Sequence, residues 1–178
     1  MKKLRFFTIL CLLALVMGTL AGCKKEENGT NNGGSGNGSS GDAEFVDLGL
    51  PSGTKWKSSN EMGNGSGFYT YDEAISTFGS QLPTREQFEE LHACCTWEWQ
   101  GDGGYKLTST NGNSIVLPAA GYRTCNGNVV DQVASYGYYW SFTSDNSESA
   151  WFLFFGSDMW YTTYNGRCSG FSVRLVQN

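Results

Sequence analysis

The C-terminal segment SDMWYTTYNGR, residues 157–167, combines aromatic rings with hydrogen-bonding side chains. Its candidate ligand contacts are Trp160, Tyr161, Tyr164, Asp158 and Asn165. Tyr and Trp give large contact areas at a low cost in conformational entropy, and small polar neighbours supply adaptable hydrogen bonds. The segment is too polar for a core, so it predicts noncovalent binding, in which rings stack on a ligand and Asn or Asp bind its polar groups. Plain aromatic packing is the alternative.

The stretch just before it, Ala150–Phe155, reads as a strand with two apolar faces. Alternation places Leu153 with Phe155 on one face, and Phe152 with Phe154 on the other. Such a strand is either buried on both sides or exposes one aromatic face to a ligand. On the second reading, Phe152 and Phe154 join the ligand-contacting set.

The chain offers little for catalysis. His92 is its one histidine, and Cys95 lies one helical turn away on a predicted helix. Nucleophilic catalysis would also need an orienting third group and an oxyanion hole. Asp145 and Glu148 give only weak support for a hard-cation site. We therefore expect no enzyme activity, no metal and no cofactor.

The net charge of the 178-residue chain is -5. No basic cluster follows Lys25, and a nucleic-acid partner needs a basic surface. Nucleic acid is therefore excluded as a partner.

The N-terminus has the pattern of a cleaved export signal. Basic residues precede an apolar run from Phe6 to Leu20, which is short for a membrane span. Cleavage after Gly22 would remove three positive charges from the net charge of -5 and leave -8. The following stretch, residues 28–41, contains only Gly, Asn, Ser and Thr, so we expect a flexible tether there.

The sequence Leu-Ala-Gly-Cys that ends at Cys23 resembles the lipobox of bacterial lipoproteins, in which the cysteine sulfur carries diacylglycerol. The alternative is an ordinary secretory signal. Lys24–Glu27 resembles the signal that sends Bacteroidetes lipoproteins to the outer face of the cell, or else is a solvated charge cluster beside the membrane. The resemblance implies a lipoprotein anchored in the outer membrane and exposed at the cell surface. The expected parts are a signal peptide over 1–22, a lipidated tether over 23–42 and one domain over 43–178.

Two helices are predicted within the domain. The first begins after Thr70 with a capping box and ends at Gly79. The second has Thr84 as its N-cap, and Phe88, Leu91 and Cys95 share one face.

Short β-rich segments separated by Gly, Asn and Asp then predict an antiparallel sheet, and the whole domain is α+β. The predicted strands are 105–109, 114–117, 137–143, 150–155 and 171–175. Alternation within 137–143 puts Tyr139 and Trp140 on opposite faces. Arg174 is expected to pair with a carboxylate or with backbone carbonyls at the edge of the core.

Six motifs resemble the Fibrobacter succinogenes major paralogous domain in composition and order. They are VDLGLPSGTKW, LPTREQFEEL, CTWEW, GNSIVLPAAGYR, GYYWSFT and GFSVRLV. That family is similar to the C-type lectin-like fold and to the sulfatase-modifying-factor group. The resemblance implies two helices, a twisted antiparallel sheet with a long loop region, and chain ends that lie close together. A fold hosts many functions, so it implies less about activity.

Four cysteines remain in the exported domain, and four cysteines allow three connectivities. Many members of the resembled family have Trp-Ala-Thr-Cys where this chain has Trp56-Lys57-Ser58-Ser59, so Ser59 replaces a cysteine that could have paired with Cys95. The resemblance therefore leaves the pairing open. We favour a bond between Cys125 and Cys168.

These observations predict a monomeric surface module that binds a glycan or a protein through loops over 144–169. The resemblance adds that related lectin-like domains serve as variable proteins of diversity-generating retroelements. The candidate variable positions would be Phe152, Phe154, Asp158, Tyr161, Tyr164 and Asn165. Two alternatives stay open: a structural envelope lipoprotein without a soluble ligand, and an enzyme of the sulfatase-modifying type using Cys125 and Cys168.

Overall fold

A computed structural model describes residues 45–178. The predicted signal peptide, Cys23 with its lipid, and the tether lie outside the described residues, as do the first two residues of the expected domain. Within the described residues, no helix has the length and apolar character needed to cross a membrane.

Two helices form where their capping residues predict them. Helix α1 spans Tyr71–Phe78, and helix α2 spans Arg85–Cys94. The Thr70 side chain accepts from the backbone N–H of Glu73, and the Glu73 carboxylate accepts from the backbone N–H of Thr70. Thr84 and Gln87 form the same reciprocal pair at the start of α2. These caps satisfy N–H groups that no preceding turn can reach.

The end of α2 differs from the sequence prediction. Cys95 has an extended backbone and starts a strand, so it does not share a helical face with Phe88 and Leu91. Trp97 and Trp99 follow it at strand spacing, and this aromatic alternation outweighs continuation of the helix. His92 and Cys95 therefore do not form a one-turn helical pair.

Residues 45–178 contain eleven strands. They are β1 (Phe45–Asp47), β2 (Lys55–Lys57), β3 (Cys95–Trp99), β4 (Gly104–Ser109), β5 (Ser114–Pro118), β6 (Ala120–Arg123), β7 (Val129–Val133), β8 (Gly137–Ser144), β9 (Ser149–Gly156), β10 (Met159–Gly166) and β11 (Val176–Gln177).

The strands form three sheets, and the domain is α+β with sheet predominant. The five-stranded sheet has the order β10-β9-β8-β6-β7, and the other two have the orders β3-β4-β5 and β1-β2-β11. All of the strand pairs are antiparallel except β6 with β8. The first and last strands flank β2, so the two ends of the described chain meet in one sheet, as the resemblance implies.

The five-stranded sheet is buried on both faces near its centre. Tyr139, Leu153 and Phe155 belong to one apolar cluster, which packs against α2 and the sheet β3-β4-β5. Trp140 and Phe152 belong to a second cluster, which packs against α1. Tyr139 and Trp140 thus occupy opposite faces, as predicted. Both clusters and all three sheets lie within 45–178, so a fragment from residue 43 holds the contacts that stabilise this fold.

The segment 171–175 is irregular, contrary to the predicted strand. It makes isolated bridges at Phe171 and Ser172 and then crosses the second cluster. Arg174 is buried there, and its guanidinium donates to the carbonyls of Lys57 and Val116 at 2.7 and 2.6 Å. The predicted pairing with carbonyls is present, and it ties this segment to β2 and β5.

Candidate functional site

The segment that we expected to be a binding loop is a strand. Strand β10 is eight residues long and pairs with β9 along its whole length. Only Ser157 and Asp158 form the turn, because Gly156 pairs with Met159. β-Branched and aromatic residues fill β10, and such residues favour strands. The predicted loop over 144–169 is therefore largely a β-hairpin.

Strand β10 divides the predicted contact residues between two faces of the sheet. Trp160 pairs with Phe155, so it faces α2 and the first cluster. Tyr161 pairs with Phe154 and so faces the other way. By alternation, Tyr164 lies on the side of Trp160, and Asn165 on the side of Tyr161. The structure therefore separates Tyr161 from Trp160 and Tyr164.

The face of β10 toward α2 is occupied by protein. The Trp160 ring stacks on His92 with centroids 3.6 Å apart, so its face is covered by protein rather than presented to solvent. Burial lowers the pKa of His92 below its usual value and so favours the neutral imidazole beside Trp160. The guanidinium of Arg85 lies 4.1 Å from the ring centroid of Trp151, on the same face. Helix α2 thus covers one face of the Trp160 ring and leaves the side chain half-buried, so Trp160 is less open to a ligand than we expected.

Tyr164 is the exposed residue of that face. Its side chain is 58% exposed, and it contacts the edge of Trp151 with ring centroids 5.8 Å apart. Within the described residues, no other aromatic ring contacts Tyr164. It therefore offers one isolated ring.

Tyr161 belongs to a larger aromatic surface. We call this surface, formed by Tyr122, Tyr136, Tyr138, Phe154 and Tyr161, the tyrosine face. Four of its rings come from four adjacent strands and form a row across the sheet. The centroid distances along the row are 5.0 Å (Tyr161 to Phe154), 5.1 Å (Phe154 to Tyr138) and 4.8 Å (Tyr138 to Tyr122). Three strand spacings make the row about 14 Å long.

Tyr136 completes the tyrosine face beside this row. Its ring stacks on Phe154 with centroids 5.4 Å apart and planes 23° apart. The Gly156 backbone makes room for it: a Cβ on Gly156 would lie 3.0 Å from Cε1 of Tyr136. Tyr136 is thus held between a glycine backbone and a buried ring, which limits its motion.

The hydroxyl groups of the tyrosine face lie close enough to influence one another. Burial, followed by the phenols of Tyr122, Tyr161 and Tyr136, raises the pKa of Tyr138 to about 12. The Tyr138 hydroxyl donates to Oε1 of Gln132 at 2.8 Å. The Tyr138 phenol is therefore uncharged at neutral pH. A phenol hydroxyl can both donate and accept hydrogen bonds.

Two predicted contact residues are buried: Phe154 is the buried member of the tyrosine face, and Phe152 belongs to the same apolar cluster. Phe152 is 5% exposed and Phe154 is 9% exposed, because rings of β8 and Phe171 pack against them. They are not available as ligand contacts, contrary to the sequence expectation. The first reading of Ala150–Phe155, a strand buried on both sides, describes β9. Tyr161 is 47% exposed and is the most accessible ring of the face.

Asp158 lies at the turn end of β10, in an open cleft of about 370 Å³. The cleft is lined by Trp99, Ala134, Ser135, Tyr136, Ser157 and Asp158. Tyr136 lines both this cleft and the tyrosine face, so the two are continuous. Tyr105 positions the turn, because its hydroxyl donates to the carbonyl of Ser157 at 3.0 Å.

Two further cavities lie elsewhere. One of about 340 Å³ includes Met62, Asp102 and Val133, and one of about 460 Å³ includes Tyr71, Phe142 and Arg167. Among residues 45–178, no group of three or more His, Cys, Asp or Glu could hold a metal ion.

The four cysteines of residues 45–178 divide into a bonded and an unbonded pair. Cys125 and Cys168 form a disulfide, the pair that we favoured from the sequence. Cys94 and Cys95 are free thiols. Burial, and then the neighbouring Cys94, raises the pKa of the Cys95 thiol to about 11, so its reactive thiolate is scarce at neutral pH.

Sequence reasoning missed Tyr122, Tyr136 and Tyr138 as surface residues. Tyr136, Tyr138 and Trp140 recur at a spacing of two, which places them on one face of a strand. From this spacing, Tyr136 and Tyr138 could have been predicted to share one face of the sheet. Tyr122 had no such signal, because its place beside Tyr138 depends on the parallel pairing of β6 with β8.

Comparison with protein families finds one match: a domain of unknown function (DUF8237) matches residues 105–176, from β4 to the start of β11. Comparison with curated proteins and with solved structures yields no match.

Proposed function

We propose that this protein is a surface-anchored lipoprotein that binds a glycan or a protein, and that the tyrosine face is its contact surface. The row of rings across four strands, with Tyr161 47% exposed at its outer end, carries this proposal. Rings fixed by a sheet bind without a large loss of conformational entropy. The lipobox-like sequence at Cys23 and the tether favour display outside the cell.

The chemistry of the tyrosine face favours a ligand with apolar faces and hydroxyl or amide groups. Four of the five rings bear hydroxyls, and none of the five residues is basic. Such a surface can stack on a pyranose ring or a protein side chain and hydrogen-bond at its edge. It gives little attraction to a phosphate chain, in keeping with the acidic net charge.

A C-type lectin-like architecture within the Fibrobacter succinogenes major paralogous family is part of the same proposal. The six motifs, the two capped helices and the meeting of both chain ends at β2 support it. Retroelement diversification is a further proposal, restricted to Asp158, Tyr161 and Asn165, because Tyr164 lies on the opposite face of the sheet. Burial of Phe152 and Phe154 leaves them unsuited to free variation.

A matched pair of single substitutions tests the proposal. Fragment 43–178 would be applied to a glycan array and to pull-down from bacterial cell surfaces. We expect Tyr161→Ala to weaken capture at least tenfold, since exposed aromatic anchors contribute about 1–2 kcal/mol or more to binding. Tyr164→Ala removes a tyrosine of similar exposure from the opposite face, and we expect it to bind like the parent. Equal loss in both variants, or in neither, would reject the tyrosine face as the site.

A further inference from the structure

The cleft at the end of β10 combines two aromatic rings with a single carboxylate. Asp158 is the one charged residue among its six lining residues. Within residues 45–178, no ion pair or side-chain hydrogen bond occupies the Asp158 carboxylate. Trp99 and Tyr136 line the same cleft. A carboxylate without a protein partner beside aromatic rings attracts a cation.

Three separate chain segments build the cleft. Trp99 is the last residue of β3, Tyr136 precedes β8, and Asp158 lies in the turn between β9 and β10. The Trp99 ring packs edge-on against Tyr105 with centroids 5.0 Å apart, and the same Tyr105 holds Ser157. One side chain therefore positions both the aromatic side and the acidic side of the cleft.

The Ala134 wall of the cleft has an unusual backbone. Ala134 has φ 62°, and no other non-glycine residue in the described part of the chain has a positive φ. The backbone of Ala134 packs directly against Gly103, because a Cβ at position 103 would lie only 2.2 Å from Cα of Ala134. The N–H of Ala134 donates to the carbonyl of Ala119 at 2.8 Å. Left-handed alanine persists only where its surroundings impose it, so this wall has a fixed shape.

We propose that the cleft binds an organic ammonium group, held by Trp99 and Tyr136 and neutralised by Asp158. The ammonium group is carried by the ligand of the tyrosine face, so this inference deepens the proposed function. An anion would meet the carboxylate with no basic residue in the lining to offset it. A divalent metal needs more oxygen ligands than one carboxylate and two serines supply.

The shared chemistry is a positive nitrogen on a carbon stem, and two kinds of ligand carry it. One is a quaternary ammonium, as in choline, and the other is a primary ammonium, as in a lysine side chain or an amino sugar. Arg85 over Trp151 shows the same type of contact within this fold, at 4.1 Å. The cation in that contact is a side chain of the protein, whereas none of the six residues that line the cleft is basic.

NMR titration of fragment 43–178 tests the inference through the indole N–H signals of its tryptophans. The probes are choline, n-butylammonium and the uncharged choline analogue 3,3-dimethylbutan-1-ol, at constant ionic strength. The Trp99 signal is assigned by its loss in Trp99→Phe. We expect it to shift saturably with at least one of the two cations, and the uncharged alcohol to bind at least tenfold more weakly. The tighter of the two cations identifies the kind of ammonium.

Two isosteric substitutions provide the variant and its control. Asp158→Asn should weaken ammonium binding at least tenfold, because it removes the charge and keeps the shape. Glu148→Gln makes the same change at the far end of β9 and should leave binding unaltered.

An unchanged affinity in Asp158→Asn, equal binding of the uncharged alcohol, or no saturable shift would overturn the inference. If array ligands bind but ammonium does not, only this inference fails; if ammonium binds and no surface ligand is found, the proposed function fails instead.

Discussion

Tyr161 and Tyr164 lie three residues apart in β10 and point to opposite faces of the five-stranded sheet. Tyr161 extends a row of contacting rings, whereas Trp151 is the one aromatic ring that Tyr164 contacts within residues 45–178. The two side chains are therefore similarly exposed but have different neighbours. A ligand that contacts several adjacent rings binds more tightly than one that contacts a single ring. Substituting Tyr161 and Tyr164 separately therefore tests which face of this strand binds a ligand.

The burial of Phe152 predicts a large effect on stability. Phe152→Ala should lower the free energy of unfolding by about 3–5 kcal/mol, because it leaves a cavity between Trp140 and Phe171. Asn165→Ala, in the same face but exposed, should change it by less than about 0.5 kcal/mol. Urea denaturation of fragment 43–178 measures both. A loss below about 1 kcal/mol in Phe152→Ala would mean that this ring is not core.

Two glycines of the hairpin region should respond differently to a methyl group. A Cβ on Gly137 would lie 2.1 Å from Cζ of Phe155, which is fully buried, and a Cβ on Gly156 would lie 3.0 Å from Cε1 of half-buried Tyr136. Overpacking a core costs about 1–3 kcal/mol or more. We expect Gly137→Ala to fall in that range and Gly156→Ala to cost less, as measured by thermal unfolding. The reverse order would contradict the packing described for Phe155.

The His92–Trp160 stack predicts a pH dependence of stability. Burial lowers the pKa of folded His92, so the unfolded chain binds this proton more readily. The contribution is present above the unfolded pKa of about 6.5 and is lost as pH falls through it toward the lower folded value. Tm should drop over this window in the parent and less in His92→Phe, which keeps a ring and does not titrate. Parallel Tm profiles would exclude His92 as the cause.

The disulfide predicts a pattern of thiol reactivity. Alkylation of unreduced fragment 43–178 should modify only Cys94 and Cys95, and Cys95 slowly near pH 8, because burial raises its pKa to about 11. Mass spectrometry of the peptides measures this.

Loss of the bond should also destabilise the domain. The bond joins residues 43 apart, so Cys125→Ser with Cys168→Ser should cost about 2–4 kcal/mol of unfolding free energy. Cys94→Ser serves as the control and should cost less. Alkylation of Cys125 without a reductant would contradict the assignment.

Local patterns predicted the helices and the alternating faces of β8 and β9. Capping boxes at Thr70 and Thr84 are short-range signals, and alternation within a strand needs no tertiary information. Strand β10 was missed because its Thr, Asn and Gly suggested a loop, whereas its tyrosines and threonines favour a strand. Polar composition here reflects an edge strand of the sheet.

The candidate site was predicted only in part for a different reason. Tyr161 was identified from composition, but its neighbours Tyr122 and Tyr138 come from strands whose order in the sheet is not sequential. The separation of Tyr161 from Trp160 also depends on α2 packing over one face of β10. Long-range pairing decided both, and a single sequence carries little information about such pairing.

The most direct test of the binding face is an NMR footprint with tyrosine-labelled fragment 43–178 and a ligand captured on the array or from cells. We predict that ligand shifts the ring signals of Tyr122, Tyr136, Tyr138 and Tyr161 and leaves those of Tyr71 and Tyr164 in place. Shifts at Tyr164 with no change at Tyr161 and Tyr136 would contradict the account.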